Sequence, residues 1–472
     1  MLLGREKELA ILTDAYAAKT SKLVVVYGRR RIGKSSLIAT FLKNKRNLCF
    51  ESLERQSTSS QISHFKNSLS AFTDDKLLPQ IKFINWDQVF TYLTERLRQE
   101  TEKVIIFFDE FQWMAAGQTK LVALIKYYWD NHWKNLNIQL ILCGSIANYM
   151  VNRVIKSKAL YGRIDLELLI TELKPFEIAQ FFPKTRSQEE ILTYMLILGG
   201  VPKYYELLEK NRSLEKNLAT LCFEKSGYLF NEYEKIFFSQ FKEHLRYEEI
   251  VKFISHSPKT LSELAKRLKM PSGGGLKRYL NNLELARFIR AYTPIQKQTT
   301  NIVKYGVFDE YLNFYFKFIL PRRNKIVKDI HKNIFASEIK NSWLPWLGLA
   351  FERFCLRYAN LICEILKISD VTEDFGPLFF KGDTSFQIDL VIKRSDRVWN
   401  LCECKFNQDP VGVEIIPEFN TKIEKIKLPR GYSIEKTLIS PSGMTDSLSK
   451  TEYFDSCVTI RELFDRRRGV EQ

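Results

Sequence analysis

Residues 22–35 read KLVVVYGRRRIGKS, and the join at Gly28 decides what kind of sheet this chain builds. Lys22–Tyr27 is a short, β-branched and nearly continuous apolar run, the composition of a strand covered on both faces. Gly28–Ser35 fits GxxxxGK[ST], and SSLIATFLK follows it with helical character. A glycine loop between a buried strand and a helix can cradle phosphates, because the first amides of the helix lack intrahelical partners. These residues predict a nucleotide site in which Gly28 and Gly33 shape the loop and Lys34 reaches the β and γ phosphates. Ser35 holds Mg²⁺ there, with Ser36 beside it among the nucleotide-contacting residues. A glycine turn without a ligand is the competing reading, and it leaves Lys34 unexplained.

Further along the chain, KVIIFF (Lys103–Phe108) and IQLILC (Ile138–Cys143) are two more runs of the same kind, each ending at small or charged residues. Strands of this type alternating with helical periodicity predict a parallel α/β sheet, whose ligands lie beyond the carboxyl ends of the strands. Asp109 and Glu110 stand at such an end, in VIIFFDEFQW. The expectation is that Asp109 ends the strand beside the first one and orients Mg²⁺ through water, while Glu110 polarises an attacking water.

The chain has 472 residues, long for a single core, and a formal net charge of +17 that raises the odds of a polyanionic partner such as DNA. Its eight cysteines contain no CxxC pair and no disulfide-framework spacing. The opening MLLGREKELAIL has charge where a signal peptide needs an apolar core, and no run approaches the ~20 apolar residues that cross a bilayer. A cytoplasmic, reduced protein without a membrane segment is expected.

Five segments are expected. Residues 1–172 form the α/β domain and residues 173–245 a helical lid. Residues 246–308 hold EEIVKFIS, TLSELAKRLKM, a glycine turn at SGGG and LKRYLNNLELARFI, followed by the β-like RAYTPI and NIVKYGVFD. Three short helices and a following β-like stretch read as a winged helix-turn-helix, whose third helix carries Lys277, Arg278 and Arg287. A DNA reader and a structural spacer both fit. Residues 309–346 form an aromatic, basic connector, and residues 347–472 a last α/β unit.

In that unit LCECKF (Leu401–Phe406) places two cysteines, a glutamate and a lysine in six residues. If it is a strand, Glu403 and Lys405 share one face while Cys402 and Cys404 share the other with the core. Cysteines at i and i+2 could ligate zinc, but no matching cysteine or histidine pair exists in the chain. In SFQIDLVIKR, alternation sends Gln387, Asp389 and Val391 one way and Ile388, Leu390 and Ile392 toward the core. A hairpin through RSDR (Arg394–Arg397) sets Asp389 near Glu403 and Lys405. Two carboxylates can hold Mg²⁺ or Mn²⁺, and the lysine can orient a water or stabilise charge on a phosphate oxygen.

The ordered motifs GREKEL, GRRRIGKSSL, FFDEFQ, LCGSIANYM, LYGR and GGVPKYY resemble the archaeal-type ATPase family, which is related to the signal-transduction ATPases with numerous domains. The resemblance covers roughly Met1–Tyr205. It implies adenine recognition near Gly4 and Arg5, a γ-phosphate sensor at Ser145, an arginine finger at Arg163 and a nucleotide-contacting Pro202. The finger would act in trans in a homo-oligomer. The bland readings are a turn residue at Ser145, a surface ion-pair partner at Arg163 and a helix-starting proline at Pro202.

The segment from GLAFERFC to LCECKF is similar to the PD-(D/E)xK restriction-endonuclease-like superfamily. Glu352 matches its acidic helix residue, with Asp389, Glu403 and Lys405 as the sheet residues; Ile388 stands where the motif's proline would be. Together the two resemblances imply a switch that binds and hydrolyses ATP with Mg²⁺ and controls a DNA-directed, nuclease-like terminal domain. A nucleotide-dependent DNA-binding regulator and a signalling scaffold, each with a non-cleaving terminal domain, are the alternatives.

Overall fold

The computed structural model describes residues 2–115, 120–145, 147–241, 243–292, 303–329, 334–380 and 386–465. Ile146 of LCGSIANYM, Thr293–Ile295 of RAYTPI, Asn301 and Ile302 of NIVKYGVFD, and 381–385 before FQIDL lie outside these. The chain divides into two compact units, Met1–Glu172 and Leu173–Gln472.

The first unit is built on five parallel strands: β1 (Lys22–Tyr27), β2 (Asn47–Glu51), β3 (Val104–Asp109), β4 (Ile138–Gly144) and β5 (Leu166–Leu169). Their order is β2-β3-β4-β1-β5. β3 and β4 are buried along their whole lengths, as continuous apolar runs require when helices cover both faces. The expectation that Asp109 ends the strand beside β1 is corrected here, because β4 lies between them and pairs with both. Strand order is set by long-range pairing, which proximity along the chain does not reveal. One consequence is functional, since Ser145 directly follows the strand that separates the phosphate loop from Asp109.

In the second unit the short helix Pro175–Ile178 and a 3-10 turn are followed by the helices Gln188–Leu198, Pro202–Glu206, Leu214–Cys222 and Glu232–Gln240. Next come His244–Ile254, Leu261–Leu268 and Gly274–Leu285 with a small antiparallel sheet, order β6-β8-β7, made of β6 (Lys259–Thr260), β7 (Ile289–Tyr292) and β8 (Lys304–Val307). Thr260 and Glu263 form a reciprocal capping box that starts the middle helix. Gly274 and Gly275, expected in a turn, already belong to the third helix.

The segments expected after Leu173 lie together in this unit, and the boundaries expected at 245/246 and 346/347 fall inside helices. The helix Lys340–Arg357 runs through Pro345, because Trp346, Leu347, Ala350, Phe351, Phe354 and Cys355 bury one side of it. It is further fixed by a charge cluster: buried Glu310 takes Arg353 at 3.2 Å and Arg357 at 3.6 Å. Such a cluster holds only if its members stay paired, since a lone buried carboxylate is costly.

The C-terminal sheet is mixed, in the order β13-β12-β11-β10-β9. β9 (Thr372–Phe380), β10 (Phe386–Arg394) and β11 (Val398–Cys404) are antiparallel, whereas β12 (Ser433–Ile439) and β13 (Ser456–Val458) join in parallel. Regular alternation along β10 fails. The register with β9 shifts between Ile388 and Val391, so those two share one core with Leu401, Ile415 and Phe419. A bulge inserts one residue and re-aims the side chains after it, which is why Val391 is not on the side expected for it.

Candidate functional sites

In the first unit, β1 delivers the chain into the phosphate loop through Gly28, whose φ is 155° and where a Cβ would stand 2.4 Å from the Ile170 carbonyl oxygen. Only glycine allows β1 and the segment after β5 to approach so closely. Gly33, at φ 90°, precedes the helix Lys34–Phe41. The Lys34 Nζ donates to the Gly28 and Arg29 carbonyls at 3.0 and 2.8 Å, which fixes the ammonium within the loop. Burial pulls its pKa below the usual lysine value, although nearby Cys143, Glu110 and Asp109 oppose that.

The Ser35 hydroxyl donates to Asp109 Oδ2 at 2.9 Å. A hydroxyl and a carboxylate converging at the start of the helix form an oxygen donor pair suited to Mg²⁺, so the residues fit the implied ion. When bound, Mg²⁺ would supply charge neutralisation between phosphate oxygens. Glu110 sits just beyond, its own N–H donating to Asp109 Oδ1 at 2.9 Å, in the left-handed region at φ 49°. Non-glycine residues pay roughly 1–2 kcal/mol for that conformation, so the surrounding contacts must hold it. Ser145 does so by donating to Glu110 Oε2 at 2.7 Å, and Gln112 Nε2 donates to the same oxygen.

These side chains border a cavity of about 760 Å³ lined by Gly33, Lys34, Ser35, Ser36, Glu110 and Ser145. Also lining it, and not foreseen in the sequence, are Glu51 at the end of β2, Ser52 and Glu54 just after it, and His64 and Trp113. The signal was present as a fourth short strand, Asn47–Glu51, next to β3. Gln112 was likewise missed; it is 4 % exposed, and its Oε1 has no hydrogen-bond partner.

Three residues implied by resemblance have other contacts. Arg5 is buried, donating to the Ile32 and Thr171 carbonyls at 2.9 and 2.6 Å and to Glu8 at 2.9 Å. It clamps the loop rather than lining the cavity, while Gly4 beside it takes φ 68°. Arg163 grips Asp130 with two nitrogens, at 2.7 and 2.8 Å, and is not a cavity residue. That pairing holds the Asp130 carboxyl down at about 2, with the Arg163 hydrogen bond the largest cause. Pro202 belongs to the second unit, buried as the first residue of its helix.

The second site lies in the C-terminal sheet. β10 and β11 pair in the register Leu390 to Cys402 and Val391 to Leu401, which brings Asp389 beside Glu403. The Cys404 N–H donates to Asp389 Oδ2 at 3.1 Å, and Gln387 Nε2 donates to Asp389 Oδ1 at 3.2 Å and to Glu352 Oε2 at 3.3 Å. Asp389 and Glu403 are both buried, at 7 % and 1 % exposure, so neither is a solvated edge residue. Burial, then the charges of Glu352 and Glu403, push Asp389 up to about 7. Burial and the Glu403 charge raise Glu352 as well, against the pull of Arg353. Cys402 and Cys404 lie buried near Cys355, as packing residues.

Lys405 Nζ reaches Glu403 Oε1 at 3.2 Å and Glu418 Oε1 at 3.0 Å. Burial lowers the Lys405 pKa, but those two carboxylates outweigh it and leave it raised. A second ammonium, Lys422, stands 2.5 Å from the same Glu403 oxygen. Nothing in the sequence marked Lys422 or Glu418, which sit one turn apart on the helix Ile415–Ile423. Among the described residues no group of three or more His, Cys, Asp or Glu side chains forms a ready-made metal cluster. Even so, mutually repelling buried carboxylates, together with a Glu403 Oε2 that has no hydrogen-bond partner, suit a hard divalent cation. Glu352, Asp389 and Glu403 would hold it.

Among the described residues no helix is long and apolar enough to cross a membrane. Residues 2–208 match the family model of an ATPase domain predominantly from Archaea. An uncharacterized protein of Methanocaldococcus jannaschii is 27 % identical over 397 residues, 83 % of this chain and 84 % of that protein. An uncharacterized ATP-binding protein of the same organism is 41 % identical over 46 residues, 10 % of this chain and 78 % of that one. Among solved structures, a Walker-type ATPase of Pyrococcus abyssi is similar at 19 % identity and a TM-score of 0.49, covering 67 % of this chain and 96 % of that one. From residue 2 to residue 208, then, this chain carries an archaeal-type ATPase domain.

Proposed function

We propose that the chain is an ATP-binding and ATP-hydrolysing switch that controls a DNA-directed, Mg²⁺-dependent nuclease-like C-terminal domain. One arrangement carries the ATPase reading: Ser35 on Asp109 and Ser145 on Glu110, grouped around the Lys34 loop in a single cavity. Lys34 and the loop amides would bind the phosphates, Ser35 and Asp109 would place Mg²⁺, and Glu110 would accept a proton from the attacking water while Ser145 senses the γ-phosphate. Arg163 would complete a neighbouring subunit's site after leaving Asp130. Adenine recognition near Gly4 and Arg5 and a nucleotide contact at Pro202 are what the family resemblance adds to this reading, with Arg5 acting through the loop it clamps. Steady-state ATP hydrolysis by purified protein tests this: Lys34→Ala and Glu110→Gln should each abolish turnover. Undiminished turnover in either variant would remove the assignment.

The nuclease reading is supported by the convergence of Glu352, Asp389 and Glu403 with Lys405. There Glu352, Asp389 and Glu403 would hold the cation, and Lys405 would orient water or steady a phosphate oxygen. The three helices from His244 to Leu285 with their small sheet suit a winged-helix reader, Lys277 and exposed Arg278 facing a DNA backbone.

A nucleotide-dependent DNA-binding regulator is the second reading. The lysines already seated on Glu403 favour it, since a non-cleaving domain could keep them there. Steeply salt-dependent DNA binding without any cleavage would support this reading over the first.

A further inference from the structure

The helix Ile415–Ile423 faces the acidic site with residues that no motif marks. Ile415 and Phe419 anchor it in the sheet's core, and Glu418 and Lys422, at i and i+4, come to the same charged edge. Lys422 and Lys405 both approach Glu403 through Oε1, at 2.5 and 3.2 Å, and Glu418 Oε1 ties the two lysines together at 3.0 and 3.5 Å. Glu403 Oε2 is buried and accepts no hydrogen bond.

A purely structural ion pair is a poor account of this. Leaving one oxygen of a buried carboxylate without a donor costs about 1–3 kcal/mol, a penalty evolution removes where nothing else is asked of the group. Two ammoniums on one oxygen also repel each other. The pattern is that of a carboxylate with one oxygen held and one left for a further positive partner. Because Lys422 is only partly buried, its four-carbon stem can turn toward solvent at modest cost.

We propose that Lys422 is a second cationic residue of the C-terminal site, which competes with a divalent cation for Glu403 and, when displaced, presents its ammonium to a non-bridging oxygen of a DNA phosphate. This rests on the reading of Glu352, Asp389 and Glu403 as a cation site. It assigns the two lysines different tasks. Lys405 follows Glu403 on the same segment and stays beside it, whereas Lys422 comes from a separate helix and can exchange partners.

The test is Mn²⁺ binding to the full-length protein, followed by the electron paramagnetic resonance of free Mn²⁺ and counted as the binding that Asp389→Ala removes. Lys422→Met, which keeps the aliphatic stem, and Lys422→Gln should each bind Mn²⁺ about 5- to 10-fold more tightly, because the competitor for Glu403 is gone. The same variants should bind duplex DNA in Ca²⁺ about 5-fold or more weakly, because a phosphate contact is lost. A merely structural Lys422 would loosen both. Equal or weaker Mn²⁺ binding in both variants, with wild-type binding intact, would overturn the proposal and leave the cation site standing. If neither wild type nor variant shows Mn²⁺ binding sensitive to Asp389→Ala, the cation site fails and the proposal falls with it.

Discussion

Ser35 and Asp109 come from segments 74 residues apart, yet the serine hydroxyl donates to the aspartate carboxylate at 2.9 Å. The contact joins the phosphate loop on β1 to the end of β3 across the intervening β4. Asp109→Asn should therefore weaken Mg²⁺-dependent nucleotide turnover by ~10–100-fold, the usual cost of losing a carboxylate that orients a metal's ligands. Nucleotide binding measured in EDTA should change little. ATP affinity lost equally with and without Mg²⁺ would assign Asp109 to folding of the loop instead.

Gln112 is expected to position Glu110. Its amide donates to Glu110 Oε2 and lies 3.3 Å from Ser145 Oγ, and a Cβ at residue 144 would crowd its Oε1 to 2.7 Å. Gln112→Leu should lower kcat by about 10-fold or more while leaving KM for ATP near its wild-type value, since misplacing a reacting group acts on the chemical step. Gly144→Ala should act in the same direction, since a Cβ there would crowd both Gln112 and the Met150 sulfur, the latter at 2.5 Å. A rise in KM at unchanged kcat would contradict this role.

Asp389 links the C-terminal site to pH. With its carboxyl raised to about 7 by burial and by Glu352 and Glu403, the protonated form is the one that favours folding. Its contribution is complete below the unfolded value near pH 4 and is lost as pH rises through about 7. Asp389→Asn should thus leave Tm nearly unchanged at pH 4.5 and raise it at pH 8, for a difference on the order of 4 kcal/mol at most. Calorimetry across that range checks this, and a constant offset at every pH would contradict it. Mg²⁺ should narrow the gap at pH 8 by neutralising the same charges.

The features legible in the sequence are local ones. β1, its loop, Lys34 and the acidic end of β3 follow from adjacent residues, because a buried strand and a phosphate loop are each specified within a few positions. Residues on different elements were harder. The insertion of β4 between β1 and β3, the grip of Asp130 on Arg163 and the seating of Lys422 on Glu403 all depend on long-range pairing. Regular alternation misplaced Val391 because it assumes an unbroken pleat, and β10 has a bulge there. Arg5 illustrates a different limit: in the motif it stands beside the nucleotide's base, whereas its guanidinium is spent on the Ile32 and Thr171 carbonyls.

Control of a nuclease by the ATPase domain is tested most directly by DNA cleavage with the full-length protein and Mg²⁺ or Mn²⁺, with and without ATP, against Asp389→Ala and Lys405→Ala. Linear, supercoiled and single-stranded DNA should each be offered. Wild type is expected to cut at least one of them in a manner that ATP changes, and both variants to lose the cutting. Absence of cleavage on every substrate, or equal cleavage by the variants, would contradict a nuclease controlled by this ATPase domain.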